Sequence, residues 1–160
     1  MKISINTTIN GEAVEAETDG RTNLVDFLRG NQGLTGSHVG CEHGVCGACT
    51  VRVDDQPIRG CLMLAAQIDG ARVDTIEGLS DSGRLQALQA AFLKHNALQC
   101  GFCTPGMLLT ALDLAESGSS LSRDDIREHL SGNYCRCTGY QAIVDAVHEV
   151  VTNNSTGQPQ

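Results

Sequence analysis

Four cysteines spaced C-x4-C-x2-C-x11-C constrain this chain more than any other feature. They stand in Gly40-Cys41-Glu42-His43-Gly44-Val45-Cys46-Gly47-Ala48-Cys49 and at Cys61. Three thiols from one short loop and a fourth from a neighbouring segment oblige the backbone to wrap around something, and the spacing is that of plant-type [2Fe–2S] ligation. Gly40, Gly44 and Gly47 are expected to take positive φ and to turn backbone N–H groups toward the cluster sulfurs, where they would offset negative charge. A structural zinc site is the competing reading, but zinc usually draws on separate short knuckles and not on three ligands from one loop. A Rieske centre would need a C-x-x-H partner for Cys41-Glu42-His43. The residues at that offset from Cys46 and Cys61 are Cys49 and Leu64, so His43 reads as a solvated loop residue.

A second set, Cys100-x2-Cys103 and Cys135-x-Cys137, is split by 31 residues. Both pairs fall between helical segments, and in an antiparallel bundle two interhelical loops can meet at one end. They could share one metal core. A C-x-C pair is tight for two ligands of one tetrahedral ion, and spreading four thiolates over two irons relieves that. A four-cysteine zinc site and two disulfides remain as alternatives.

The rest of the composition agrees with a stapled protein. The chain has 160 residues, eight cysteines, five aromatic residues and no tryptophan, so large side chains supply little core and metal or covalent staples are expected. Disulfides would need an oxidising compartment, whereas Met1 to Asn10 alternates apolar and polar residues like a strand and has no signal-peptide h-region. No stretch approaches a membrane span. A soluble, cytoplasmic protein without direct membrane insertion is expected. The net charge of −8, with no basic cluster, makes nucleic acid and anionic membrane poor partners. There is no internal repeat, and no G-x-G-x-x-G or Walker fingerprint is present, so no flavin or nucleotide site is expected in this chain.

In chain order, residues 2–9 and 12–17 read as a hairpin about Asn10-Gly11. Thr22 is the expected cap of a short helix carrying Leu24, Val25, Phe27 and Leu28 and ending at Gly30. Thr50–Val53 is a strand, Asp54-Asp55 a turn, and Gln56-Pro57-Ile58 an edge strand that delivers Cys61. An apolar run, Leu62 to Ile68, and a turn at Asp69-Gly70 lead to a last strand over 71–76. Residues 1–77 thus form an α+β domain, 78–83 a Gly/Ser/Asp-rich linker, and 84–151 a helical domain, with 152–160 a frayed tail. Within the helical part, Leu85, Leu88, Ala91, Phe92 and His95 share one face of a helix over 84–96. Thr104 with Pro105 opens a second, carrying Leu108, Leu109, Leu112 and Ala115. Ser122 with Asp125 forms a capping box for a third, ending at Ser131-Gly132. The fourth carries Ile143, Val144, Val147 and Val151.

The motifs Cys41–Thr50, Thr75-Ile76-Glu77-Gly78-Leu79, Gln99–Gly106 and Gly132–Tyr140 resemble those of the small iron–sulfur subunit of the molybdenum hydroxylases, the family of xanthine dehydrogenase, carbon monoxide dehydrogenase and aldehyde oxidoreductase. The resemblance covers residues 1 to about 151. It implies a β-grasp ferredoxin-like domain followed by a four-helix bundle, each holding one [2Fe–2S] cluster. Cys41, Cys46, Cys49 and Cys61 would ligate the first and Cys100, Cys103, Cys135 and Cys137 the second. It also implies a large partner subunit with molybdopterin, as its cytosine dinucleotide, a medium partner subunit with FAD, and a dimer of such heterotrimers. Gln99 and Cys137 fall at the family's pterin contacts, although an amide such as Gln99 could equally satisfy nearby backbone. Arg136, between two thiolates, would raise the cluster potential or form a surface ion pair. Electrons would run from molybdenum through the second cluster and then the first to FAD while the holoenzyme hydroxylates an N-heteroaromatic compound, an aldehyde, a purine, carbon monoxide or an aromatic acyl-CoA. No catalytic residue is expected in this chain. A free-standing two-cluster ferredoxin and a zinc-stapled interaction module are the other functional readings.

Overall fold

The computed structural model describes residues 1–156. Its first half is a mixed five-stranded sheet that clasps one helix. Strands β1 (Lys2–Ile9) and β2 (Glu12–Asp19) form an antiparallel hairpin in which Ile9 faces Glu12. Asn10 and Gly11 at its tip both have positive φ, 52° and 84°, the backbone that suits the right-handed twist of the flanking strands. Helix α1 (Leu24–Gly30) follows, then a long loop carrying three cysteines, and then the hairpin of β3 (Thr50–Val53) and β4 (Gln56–Arg59). Its turn residues, Asp54 and Asp55, again have positive φ. Strand β5 (Arg72–Asp74) closes the sheet, parallel to β1 and antiparallel to β3, giving the order β2-β1-β5-β3-β4. Pro57 lies in the edge strand β4, where its missing N–H leaves no ladder bond unmade.

Leu24, Val25, Phe27 and Leu28 of α1 are fully buried, three of them against Ile5, Ile9, Val51, Val53, Val73 and Ile68. Each such side chain contributes about 1.5–3 kcal/mol of burial, and together they hold α1 across the sheet in the β-grasp manner. The cap of α1 is Asn23, not Thr22. The Asp26 N–H donates to Asn23 Oδ1 at 2.8 Å, while the Thr22 backbone is occupied elsewhere, its carbonyl accepting from Ala65 N–H at 2.9 Å.

The expected strand over 71–76 is only three residues long, and the expected linker over 78–83 is mostly helix. Ile76 opens α2 (Ile76–Asp81), whose Leu79 is buried in the core of the second half. The glycine that suggested flexibility has another purpose: a Cβ on Gly78 would collide with the side chain of Asn10. Asn10 itself accepts from Thr75 N–H at 2.8 Å, so the hairpin tip is pinned to the domain junction.

The second half packs α3 (Gln86–Lys94), α4 (Thr104–Glu116), α5 (Arg123–His129) and α6 (Gln141–Thr156) around Leu88, Phe92, Met107, Leu109, Ile126 and Val147. Helix α4 is almost wholly buried, because one side faces the bundle and the other faces β3 and β4. Thr104 is its first residue and Cys103 occupies the capping position. The Ser122–Asp125 capping box is present, with Asp125 N–H to Ser122 Oγ at 3.2 Å and Ser122 N–H to Asp125 Oδ2 at 2.8 Å. Helix α6 does not stop at Val151. Val150 and Val151 are buried, and Asn154 Nδ2 donates to Ala115 O at 3.2 Å, so residues expected to fray are docked on α4. Of the expected tail, residues 157–160 lie outside the described residues.

Candidate iron–sulfur sites

The first cysteine set forms where three pieces of the β-grasp half converge. Cys41, Cys46 and Cys49 come from the loop between α1 and β3. The β3–β4 hairpin returns Cys61 beside Cys49, with Gly60 N–H donating to Cys49 O at 3.1 Å and Gly60 O accepting from Val25 N–H at 3.2 Å. Backbone N–H groups of His43 and Cys46 both point at Cys41 Sγ at 3.4 Å. These donors, His43 first, pull the Cys41 thiol down to about 6. Burial pushes the Cys49 thiol up to about 11.

Gly44 and Gly47 have positive φ, 76° and 74°, as the wrapped loop requires. Gly40 does not. Its side is closed instead by packing, since a Cβ there would stand 3.0 Å from Cys46 Sγ. His43 is exposed.

The second set forms at one end of the bundle. Cys100 and Cys103 precede and cap α4, and Cys135 and Cys137 precede α6. Cys100 Sγ and Cys137 Sγ are 3.6 Å apart. Two thiolates on one tetrahedral ion with bonds of about 2.3 Å would be about 3.8 Å apart. Burial pushes Cys103 up to about 12. Burial also raises Cys135, but the Thr138 hydroxyl, donating to its sulfur at 3.1 Å, helps to bring it below its ordinary value. Cys137 is raised, chiefly by its contact with Cys100.

All eight cysteines are free. Among the described residues, no three cysteine, histidine or carboxylate side chains converge as a single ion would need. Four thiols in each set, two of them in the second set already in contact at 3.6 Å, supply the two ligands per iron that a two-iron core takes. The donor sets therefore fit [2Fe–2S] clusters.

Residues 7–74 match the 2Fe-2S iron-sulfur cluster binding domain family, and residues 75–148 match the [2Fe-2S] binding domain family. Caffeine dehydrogenase subunit gamma of Pseudomonas sp. (strain CBB1) is 55% identical over 150 residues, spanning 91% of this chain and 89% of that protein. The small subunit of nicotine 6-hydroxylase from Paenarthrobacter nicotinovorans is 52% identical over 146 residues, 91% of this chain and 88% of its own. Among solved structures, a chain of quinoline 2-oxidoreductase from Pseudomonas putida 86 superposes with a TM-score of 0.89 at 48% identity, covering 99% of both chains. This chain is a small iron–sulfur subunit of the molybdenum hydroxylase family.

As in any two-domain iron–sulfur subunit, the relation between the two sites matters as much as either site. Tyr134 N–H donates to Cys46 O at 2.8 Å, so a cysteine of the first set is one hydrogen bond from the neighbour of Cys135. Asn133 is 1% exposed and reaches Gly47 O through Nδ2 at 3.4 Å, while its Oδ1 accepts from Thr110 Oγ1 at 3.0 Å. Arg59 donates to Thr50 Oγ1, to Gly132 O at 2.8 Å and to Asn133 Oδ1 at 3.3 Å. Farther out, buried Arg52 pairs with Glu116 at 2.7 Å. Arg84 pairs with the same carboxylate, and the His38 ring stacks on Phe102 with centroids 4.7 Å apart. Sequence reading missed Arg52, Arg59 and Asn133, because each finds a decisive partner far along the chain: Glu116 64 positions away, Gly132 73 positions away and Gly47 86 positions away.

Both sites also have an outward side. Cys100, Cys137 and Gln99 are exposed, and Gln99 Nε2 donates to Cys137 O at 3.1 Å, which leaves its Oε1 outside this contact. Around the first set, Val45, Leu62 and Leu64 are exposed apolar side chains. Arg136 is exposed. No helix among the described residues is long and apolar enough to cross a membrane.

Proposed function

We propose that this subunit carries electrons from a molybdopterin centre on a large partner subunit to FAD on a medium one. Each [2Fe–2S] cluster, when bound, takes up and passes on one electron at a time. Cys100, Cys103, Cys135 and Cys137 would hold the cluster on the molybdenum side, with Gln99 and Cys137 facing the pterin. Cys41, Cys46, Cys49 and Cys61 would hold the cluster on the flavin side.

The observation that carries this reading is the pairing of two four-cysteine sites in one rigid frame, each with an outward face and joined to the other by the Tyr134–Cys46 hydrogen bond. A free-standing ferredoxin would have less use for two separate exposed ends, one about Gln99 and Phe102 and one about Val45, Leu62 and Leu64. The chain's own residues make and break no substrate bond on this reading. They hold the clusters, exclude water from Cys49, and supply N–H groups that offset charge at Cys41.

The named relatives act on caffeine, nicotine and quinoline, so an N-heteroaromatic compound is the substrate class we assign to the holoenzyme. The working assembly would be a dimer of heterotrimers in the cytoplasm. The test is isolation of the native complex, metal and flavin analysis, and anaerobic addition of N-heteroaromatic compounds. Molybdenum and FAD co-purifying with a subunit bleached by such a compound are expected. A monodisperse chain without partners would overturn the assignment.

A further inference from the structure

Arg59 is a half-buried cation without an anionic partner. Its acceptors are the Thr50 hydroxyl, the Gly132 carbonyl and the Asn133 amide oxygen, and among the described residues no carboxylate pairs with it. A guanidinium in that position ordinarily needs compensating charge. The position supplies a reason. Arg59 is two residues before Cys61 and touches the residue after Cys49, while its other two acceptors lie two and three residues before Cys135. Ferric iron, sulfide and thiolate sum to a doubly negative cluster, and reduction adds a further electron, so anionic groups would flank Arg59 on both sides.

We propose that Arg59 is the positioning residue that holds the two cluster loops in electron-transfer contact, by fixing Gly132 and Asn133 so that Tyr134 N–H keeps its hydrogen bond to the Cys46 carbonyl. This rests on the relay reading and adds a named residue to it. One fork spans both loops, and the neighbouring bonds act in the same sense: Thr110 Oγ1 holds Asn133 Oδ1 from behind, and Thr50 Oγ1 donates to Gly47 O at 2.7 Å. The residues between the loops therefore form one polar unit centred on Arg59. With both clusters bound, the contact Arg59 keeps would serve transfer of one electron from the second cluster to the first, with no bond formed or broken and no proton moved. Lysine could keep the charge, but its single ammonium cannot reproduce a planar fork that meets three acceptors.

The test uses the full chain loaded with both clusters, as wild type, Arg59→Lys and Arg59→Gln. Hydrogen–deuterium exchange reads the Tyr134 amide, and redistribution of a single photochemically injected electron reads the contact between clusters. In both variants, with iron and sulfide content unchanged, Tyr134 amide exchange is expected to accelerate and electron redistribution to slow, each by about tenfold, the effect of losing a charge-assisted hydrogen bond. A variant that carries both clusters and keeps wild-type exchange and redistribution overturns the proposal. If neither variant holds its clusters, the wild type decides. The Tyr134 amide, beside a residue that is 54% exposed, must be strongly protected, and exchange at an open-chain rate overturns the proposal. Wild-type protein whose clusters never share an electron, while its Tyr134 amide is protected in an Arg59-dependent way, would refute the relay and leave the clamp standing.

Discussion

Gly106→Ala separates helix propensity from domain docking, because the two predict opposite signs. Gly106 lies in the first turn of α4, and in an isolated helix alanine would be better there by about 1 kcal/mol. In the folded protein a Cβ at this position would fall closer than 3.0 Å to the carbonyl oxygen of Gly47, with Gly47 C at 3.2 Å and Ala48 C at 3.4 Å. Those are backbone atoms in the loop between Cys46 and Cys49, so no side-chain rotation relieves the clash. Overpacking of this kind costs about 1–3 kcal/mol, and drawing α4 away also stretches Tyr134–Cys46 and Asn133–Gly47, at about 1 kcal/mol for each bond lost. The propensity gain offsets only part of this. The net loss is about 2–4 kcal/mol, or a Tm lower by about 4–16 °C, with faster exchange of the Tyr134 amide. Thermal unfolding of the cluster-loaded chain and amide exchange read the two effects. A Gly106→Ala protein that melts at or above the wild-type temperature with the Tyr134 amide still protected would refute the docking argument.

Other substitutions test separate parts of the account. Cys103→Ser should abolish the second cluster's signal and stop electron flow from molybdenum, whereas Cys49→Ser should leave molybdenum oxidisable by the remaining cluster but block flavin reduction; equal loss of both steps in assembled enzymes would contradict the order. Asn23→Ala should destabilise the β-grasp half by about 1 kcal/mol through loss of the α1 cap, and Thr22→Ala should cost less, as urea titration of the two variants would show. Burial raises the Glu116 carboxyl, but hydrogen bonds from Arg84 and Arg52 outweigh it and hold the group below its ordinary value. A carboxylate depressed in the folded state stabilises above its unfolded pKa, about 4.3, and that contribution is lost as pH falls through the folded value. Glu116→Gln should therefore be less stable than wild type at pH 7, with the gap closing in acid; a gap that widens on acidification would show that Glu116 is not held by these arginines.

The elements that local chemistry specifies were legible in the sequence. Asn10-Gly11 and Asp54-Asp55 give their turns, and Ser122 with Asp125 its capping box. What failed depended on distant partners. Gly78 looked like linker because glycine signals flexibility, whereas here it admits Asn10, 68 positions earlier in the chain. Residues 152–156 looked like tail because they are polar, yet Asn154 finds the Ala115 carbonyl of another helix. Gly40 shows the same limit at smaller scale, since its neighbour is the sulfur of Cys46 and not a turn of its own. The two cysteine sets were readable as clusters of thiols, but their junction was not, because Arg59, Asn133 and Thr110 carry no spacing and acquire their meaning only when the two halves meet.

The most direct test of the two-cluster relay is anaerobic reduction of the purified chain, with iron and sulfide analysis and low-temperature electron paramagnetic resonance. Two distinct [2Fe–2S] signals and about four irons per chain, two for each four-cysteine set, are the predicted result. A single signal with about two irons, and zinc bound by Cys100, Cys103, Cys135 and Cys137, would contradict it.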